Sequence, residues 1–175
     1  MKHWATGACA VTLAMSLNAP AEGGAVKAVY CWQEAKGEWS LHRFKPLINP
    51  QGGTVFAEMS FEGSVLGEVR LRRFYPNSEV DFDYKFDPGG KLNGLKGTVT
   101  VFGEWSAEAN LFPNEDGTVP AYRVTYSQGG ARVQKPENAV DYIGRLDEVP
   151  VYRTVQNVPC AAMLKEAEKM NASRE

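Results

Sequence analysis

The sequence predicts an all-β, antiparallel fold with one short helix near its C-terminus. The 175 residues include 17 glycines and 10 prolines, a composition that favours many turns and few long helices. Polar and apolar residues alternate along several short segments, as expected of strands that bury one face. A helical spacing of apolar residues follows Pro159.

The overall composition is typical of one globular domain, with 43% hydrophobic and 23% charged residues. The formal net charge is −2, so the chain lacks the basic excess that binding to nucleic-acid phosphates requires. We therefore expect no nucleic-acid partner, whereas a small molecule, a glycan or a protein remains open as the partner.

The first 21 residues are predicted to be a secretory signal peptide. Lys2 supplies a basic start, residues 4–17 form an uncharged and weakly apolar run, and Ala19-Pro20-Ala21 places small residues before the cleavage site. The alternative is a buried N-terminal helix, although no residue caps it. The apolar run is shorter than the ~20 residues of a membrane-spanning helix. We therefore expect a secreted or periplasmic protein with no membrane span.

Cleavage after Ala21 leaves two cysteines, Cys31 and Cys160. Two cysteines in an exported chain indicate one disulfide bond. The alternative is a pair of free, buried thiols, because the sequence does not give the distance between them.

An internal repeat predicts two tandem copies of one β unit. Gly37-Glu38-Trp39-Ser40 recurs as Gly103-Glu104-Trp105-Ser106, and further matches follow in the same order, through Pro76 and Pro136 to Lys85-Phe86-Asp87 and Arg145-Leu146-Asp147. The conserved order favours duplication over coincidence. The predicted domains are a signal peptide at 1–21, a duplicated β domain at 22–158 with repeats at about 26–87 and 96–147, and a C-terminal helix and tail at 159–175.

Each copy is predicted to be a run of hairpins. The strands of the first copy are predicted at 26–35, 38–47, 54–62, 65–75 and 79–87. Those of the second copy are predicted at 97–111, 118–127, 130–134 and 139–146, with a further strand at 149–155. Eight or nine strands from the two copies favour an antiparallel meander, closed as a barrel or folded as a sandwich.

The segment Glu79–Phe86 fixes the pairing of one hairpin, because its apolar and charged residues alternate strictly. A turn at residues 75–78 places Arg72 opposite Asp81, and a slip of one residue would move every side chain to the other face. The corresponding turn of the second copy places Arg132 opposite Asp141. The other two predicted charge pairs are Arg70 with Asp83 and Glu68 with Lys85.

The C-terminal segment is predicted to be a helix of about a dozen residues that docks on the sheet, because so short a helix is marginal alone in water. Cys160 falls on its apolar stripe, which supports a bond to Cys31. The other members of the stripe are Met163, Leu164, Ala167 and Met170.

The sequence predicts no metal, no cofactor and no catalytic nucleophile. Nucleophilic catalysis usually requires a positioned base, and His42 is the only histidine left after cleavage. Ser40 lies two residues away on the same strand face, a spacing of roughly 6–7 Å along the strand, and a direct hydrogen bond is not expected. One histidine and a disulfide also fall short of a zinc ligand set.

Two functions remain, and they belong to different classes. The expected function is a non-enzymatic binding or interaction module, in which Trp32, Trp39 and Trp105 contact the ligand. Alternatively, these tryptophans fill the core of the protein. The second function is a secreted carbohydrate-active hydrolase whose paired carboxylates are Glu38 and Glu104, which occupy equivalent positions of the two copies.

Overall fold

The computed structural model describes residues 27–33, 38–48, 54–116 and 118–172. The predicted signal peptide lies outside these residues. The strands are β1 (Lys27–Gln33), β2 (Trp39–His42), β3 (Val55–Glu62), β4 (Val65–Tyr75), β5 (Ser78–Phe86), β6 (Leu92–Val101), β7 (Ser106–Leu111), β8 (Ala121–Gln128) and β9 (Ala131–Val133). The α-helices are α1 (Val140–Ile143) and α2 (Leu164–Ala172); short 3₁₀ turns lie on both sides of α1 and directly before α2.

The nine strands of the described residues form one antiparallel sheet in the order β2-β1-β3-β4-β5-β6-β7-β8-β9. The predicted antiparallel architecture is confirmed. The sheet is open, since β2 and β9 lie at its two ends, so the predicted closed barrel is wrong. Strands from both halves of the chain join the same sheet rather than two packed sheets, and the C-terminal segment covers its apolar face.

The predicted β4–β5 pairing is confirmed in every position that defines it. Arg72 lies opposite Asp81, and the other two charge pairs, Arg70 with Asp83 and Glu68 with Lys85, follow in the predicted register. Val80, Phe82 and Tyr84 point to the other face and are buried. We call this buried side the inner face of the sheet and the side that carries Arg72 and Asp81 the outer face.

The second half of the chain departs from the predicted hairpins. The single strand predicted at 97–111 is two strands, β6 and β7, because the chain turns at Phe102–Glu104, where Gly103 has a φ of +75°. The strand predicted at 149–155 is also wrong. Within that segment only Thr154 pairs, in an isolated bridge to Lys91.

The strand predicted at 139–146 is helical. Residues 137–148 form a 3₁₀ turn, α1 and a second 3₁₀ turn. Ala139, Tyr142, Ile143 and Leu146 follow the spacing i, i+3, i+4 and i+7, which places them on one side of a helix. Ala139 and Leu146 are fully buried against the sheet, and this burial selects the helical conformation.

The predicted pair between Arg132 and Asp141 is therefore wrong. Arg132 lies opposite Ser127 in the β8–β9 hairpin, whereas Asp141 is an exposed residue of α1. Trp39 begins β2 and Trp105 directly precedes β7, but the last thirds of the two predicted repeats adopt different secondary structure, with β5 at Ser78–Phe86 and helical turns at residues 137–148.

The C-terminal segment closes the core from the inner face. Leu146 inserts against Gly97 of β6, and Tyr84 of β5 donates a hydrogen bond of 2.8 Å to the carbonyl oxygen of Pro150. Burial raises the pKa of Tyr84 above its ordinary range, so this phenol stays neutral and donates.

The predicted disulfide between Cys31 and Cys160 is confirmed. It joins β1 to the turn before α2, with a Cα–Cα distance of 6.2 Å. The predicted docked C-terminal helix corresponds to α2, which packs against β1. Among the helices of the described segments, none is long and apolar enough to cross a membrane.

Candidate functional site

The outer face of the sheet carries the polar and aromatic side chains that are available for function. Cross-strand pairing aligns Trp32 of β1, Phe56 of β3, Arg72 of β4 and Asp81 of β5 in one row across this face. Thr98 of β6 continues the row. The outer face is therefore aromatic at the β2 end and charged in the middle.

The residues that follow β2 reach the aromatic end of the outer face. The ammonium of Lys45 lies 5.6 Å from the ring centroid of Phe56, which places Lys45 over the outer face. Phe56 and Phe74 stack beneath at a centroid distance of 6.1 Å and are buried.

Ser40 and His42 form a contact that the sequence analysis excluded. The Oγ of Ser40 lies 2.7 Å from the Nε2 of His42, which is hydrogen-bond distance. The strand spacing of 6–7 Å separates backbones, and the side chains lean along the strand and close that gap. The expectation of no direct bond was therefore wrong. The imidazole also stacks on Trp32, with a centroid distance of 3.4 Å and an interplanar angle of 5°.

The three tryptophans occupy different environments. Trp32 is half-buried on the outer face. Trp39 is the first residue of β2 and packs against the main core. Trp105 is buried in a second apolar cluster, and its indole N–H donates to Asn138 Oδ1 at 3.0 Å. Trp105 therefore supports the core, and Trp32 is the one placed on the outer face.

Glu38 and Glu104 are both exposed. Glu38 precedes the edge strand β2, and Glu104 lies in the turn between β6 and β7. Five strands separate β2 from β7 in the sheet, which is about 29 Å along the sheet at ~4.8 Å per strand. Glu104 accepts a hydrogen bond of 3.1 Å from Asn138. The structure thus places the two carboxylates on strands that are not neighbours.

The predicted Arg72–Asp81 ion pair is present, with 3.2 Å between Nη2 and Oδ2. Arg70 and Asp83 make a second contact beside it. The Arg72–Asp81 pair is only 14–19% exposed, and within the described part of the chain Arg72 Nε and Asp81 Oδ1 are buried without a hydrogen-bond partner. Burial raises the pKa of Asp81 to about 6, and the Arg72 charge offsets part of this effect.

Asp81 is expected to contribute more to the stability of the protein at pH 4 than at pH 7. The folded carboxyl, with a pKa of about 6, keeps its proton where the unfolded carboxyl has lost it. Its contribution is fully present below the unfolded pKa of about 4 and is lost as the pH rises through 6. The difference amounts to roughly 3 kcal/mol, at 1.36 kcal/mol per pKa unit.

Urea unfolding of the wild type and of Asp81→Asn from pH 4 to 7 measures this effect. The difference in unfolding free energy between the two proteins should change progressively between about pH 4 and pH 6 and level off above pH 6. Asp83→Asn is the matched control on the same strand face, and because it retains Asp81 its unfolding free energy should still fall between about pH 4 and pH 6. Parallel curves for the wild type and Asp81→Asn would contradict the assignment.

A second outer-face feature lies at the opposite end of the strand order. Phe112, just after β7, and Tyr122 of β8 form an edge-to-face pair with a centroid distance of 5.4 Å. Their exposed fractions are 56% and 53%, which are large for aromatic side chains. Together with Asn110 and Arg123 they line an open cleft of about 470 Å³, which we call the Tyr122 cleft.

Arg123 owes its exposure to a β-bulge. The β7–β8 pairing shifts between Glu108 and Asn110, and Arg123 has a φ of +54°. Regular alternation would direct Arg123 to the inner face, but the extra residue lets Tyr122 and Arg123 both reach solvent. A left-handed conformation costs a non-glycine residue about 1–2 kcal/mol, and such strain concentrates at functional sites.

The Tyr122 cleft has no counterpart among the binding residues predicted from the sequence. The cleft depends on a bulge between two strands, and the residues 121–128 carry no glycine that would mark it.

Within the segments that the structure describes, no group of three His, Cys, Asp or Glu side chains could hold a metal ion. The chain matches no known protein family, and no curated protein or solved structure is significantly similar to it.

Proposed function

We propose that this protein is a secreted or periplasmic, non-enzymatic binding module that holds a carbohydrate in the Tyr122 cleft. The observation that carries the proposal is the exposed edge-to-face pair of Phe112 and Tyr122 beside Arg123, whose backbone is strained into the left-handed region. Export is supported by the signal-peptide pattern at residues 1–21 and by the disulfide, since disulfides persist in oxidising compartments.

The chemistry of the Tyr122 cleft suits a sugar better than a wholly apolar ligand. Aromatic rings offer apolar faces to the C–H groups of a pyranose ring. Asn110 supplies an amide, and Arg123 supplies a guanidinium with several donors for hydroxyl or carboxylate oxygens. An open cleft on a sheet face also accommodates a chain of sugars, which an enclosed cavity would exclude.

Tyr122→Ala is expected to weaken carbohydrate binding about tenfold or more, because it removes one stacking surface and the edge-to-face contact with Phe112. Calorimetric titration with a panel of neutral and acidic soluble oligosaccharides measures the change. Phe102→Ala is the matched control, since Phe102 is an exposed aromatic residue in the β6–β7 turn, at the other end of the strands. Its affinity should equal that of the wild type.

The Arg123→Gly variant distinguishes an effect on oligosaccharide affinity from an effect on the stability of the fold. Glycine tolerates a positive φ, so this variant should be more stable than the wild type by about 1 kcal/mol, while its affinity for the oligosaccharide falls. Failure of every oligosaccharide to bind, or binding that survives both Tyr122→Ala and Arg123→Gly, would overturn the proposal.

A carbohydrate-active hydrolase is the alternative function, with Glu38 and Glu104 as its carboxylates. It has less support, because cleavage requires two carboxyl groups within about 10 Å across the same bond. An assay for new reducing ends on the same oligosaccharides tests it. Hydrolysis that Glu104→Gln abolishes would favour the enzyme.

We further infer that the β domain arose by duplication of one hairpin unit. Trp39 and Trp105 both follow a Gly-Glu dipeptide in the sequence, and both pack against a core. The helical segment at residues 137–148 then replaced the last strand of the second copy. A chimera that carries the first-copy segment 76–87 at residues 136–147 would test this, and the inference requires it to lose the Leu146 contact and unfold more easily.

A further inference from the structure

Residues 43–48, which follow β2, expose apolar side chains to a degree that the rest of the described surface does not match. Leu47 is 97% exposed, Phe44 is 78% exposed, and Ile48 is 41% exposed. They lie within five consecutive residues, together with Pro46, which restricts the backbone. Exposed apolar clusters of this kind mark surfaces that contact a partner or a membrane.

The same segment is cationic within a chain of negative net charge. No aspartate or glutamate occurs from Trp39 to Ala57, whereas Arg43 and Lys45 flank Phe44. Both cationic side chains are exposed. An apolar loop bordered by cations complements a surface that combines acyl chains with anionic headgroups.

The small number of residues in this segment favours a lipid surface over a protein as its partner. A stable protein interface buries about 800 Å² on each side, which takes roughly 20–30 residues. Residues 43–48 are too few for that. Interfacial binding to a bilayer needs only a few apolar side chains at the acyl boundary, with nearby cations at the headgroups.

We propose that residues 43–48 form a loop that binds the surface of an anionic bilayer, with Phe44, Leu47 and Ile48 inserted among the lipids and Arg43 and Lys45 at the headgroups. In this arrangement the protein lies at the bilayer surface and only the loop enters the lipid. Lys45 lies over Phe56, so the bilayer would face the outer surface at the β1 and β3 end. The Tyr122 cleft, on β7 and β8, stays accessible at the other end.

The experiment is co-sedimentation of the mature chain with vesicles of phosphatidylcholine alone and of phosphatidylcholine with phosphatidylglycerol. We expect binding to the mixed vesicles that weakens as salt is raised. The double variant Phe44→Ser/Leu47→Ser should bind at least about tenfold more weakly, because each lost side chain no longer partitions into the bilayer. Arg43→Gln/Lys45→Gln should lose about fivefold per charge.

Val140→Ser is the matched control, since Val140 is 68% exposed on α1, away from the loop. It should bind vesicles as the wild type does, and thermal unfolding should show that all variants are folded. Absence of sedimentation, equal binding to both kinds of vesicle, or binding that Phe44→Ser/Leu47→Ser leaves unchanged overturns the proposal. Loop-dependent capture of a protein without vesicle binding also overturns it, in favour of a protein partner.

Discussion

Truncation of Leu146 to alanine is expected to lower the free energy of unfolding by about 3 kcal/mol. Leu146 is fully buried, and it joins the helical segment at residues 137–148 to the sheet. The contact exists because Gly97 has no side chain. A Cβ at position 97 would lie 2.7 Å from Leu146 Cδ2 and 3.0 Å from Leu111 Cδ1.

Gly97→Ala is therefore expected to cost about 2 kcal/mol through overpacking. The two changes should compensate in part, because the new methyl group occupies space that Leu146→Ala vacates. The double variant should accordingly lose less stability than the sum of the single variants. Urea unfolding followed by tryptophan fluorescence measures all three.

Gly94→Ala is the control for the backbone effect of glycine in β6. Its Cβ would approach Lys85 Cβ at 3.8 Å, an ordinary contact, so its stability should stay near that of the wild type. Equal losses for Gly94→Ala and Gly97→Ala, or strictly additive losses in the double variant, would show that the Leu146 contact is not the cause.

Loss of the disulfide is expected to have the larger effect. Cys31→Ala/Cys160→Ala removes a bond that closes a loop of 129 residues, and the free energy of unfolding should fall by about 4 kcal/mol. The loss comes chiefly from the greater entropy of the unfolded chain, in the entropic account of such bonds. It should be visible as a lower urea midpoint under oxidising conditions.

The backbone at Cys160 supplies the control. Cys160 has a φ of +58°, which glycine adopts at little cost and alanine does not. Cys31→Ala/Cys160→Gly should therefore be about 1 kcal/mol more stable than Cys31→Ala/Cys160→Ala. A urea midpoint for either variant equal to that of the oxidised wild type would refute a stabilising role for the bond.

The β4–β5 hairpin shows why half of this fold was predictable. Its charge pairs and its apolar residues each require the same register, so two independent patterns agree on one pairing. The cysteines were equally informative, since the two cysteines that remain after the predicted signal peptide allow one bond.

The segment at residues 137–148 shows why the rest was not. Alternation at Val140, Tyr142 and Leu146 fitted a strand by analogy with the first copy. The spacing of Ala139, Tyr142, Ile143 and Leu146 fitted a helix, and only docking on the sheet decides between the two. The burial that selects the helix comes from β6, which is distant in sequence.

The candidate surfaces were the least predictable. Arg123 reaches solvent through a bulge that depends on the pairing of β7 with β8, and no local signal in the sequence marks it. Trp32 was predicted as a binding residue and does lie on the outer face, but its stacking on His42 follows from the position of β2 at the sheet edge.

The lengths of the two outermost strands bear on how this protein behaves when concentrated. β2 has four residues and β9 has three, whereas the strands between them have six to eleven. An incoming chain would find few unpaired amide and carbonyl groups at either margin. A nine-stranded sheet that tapers in this way is a poor template for fibril growth, even though it never closes on itself.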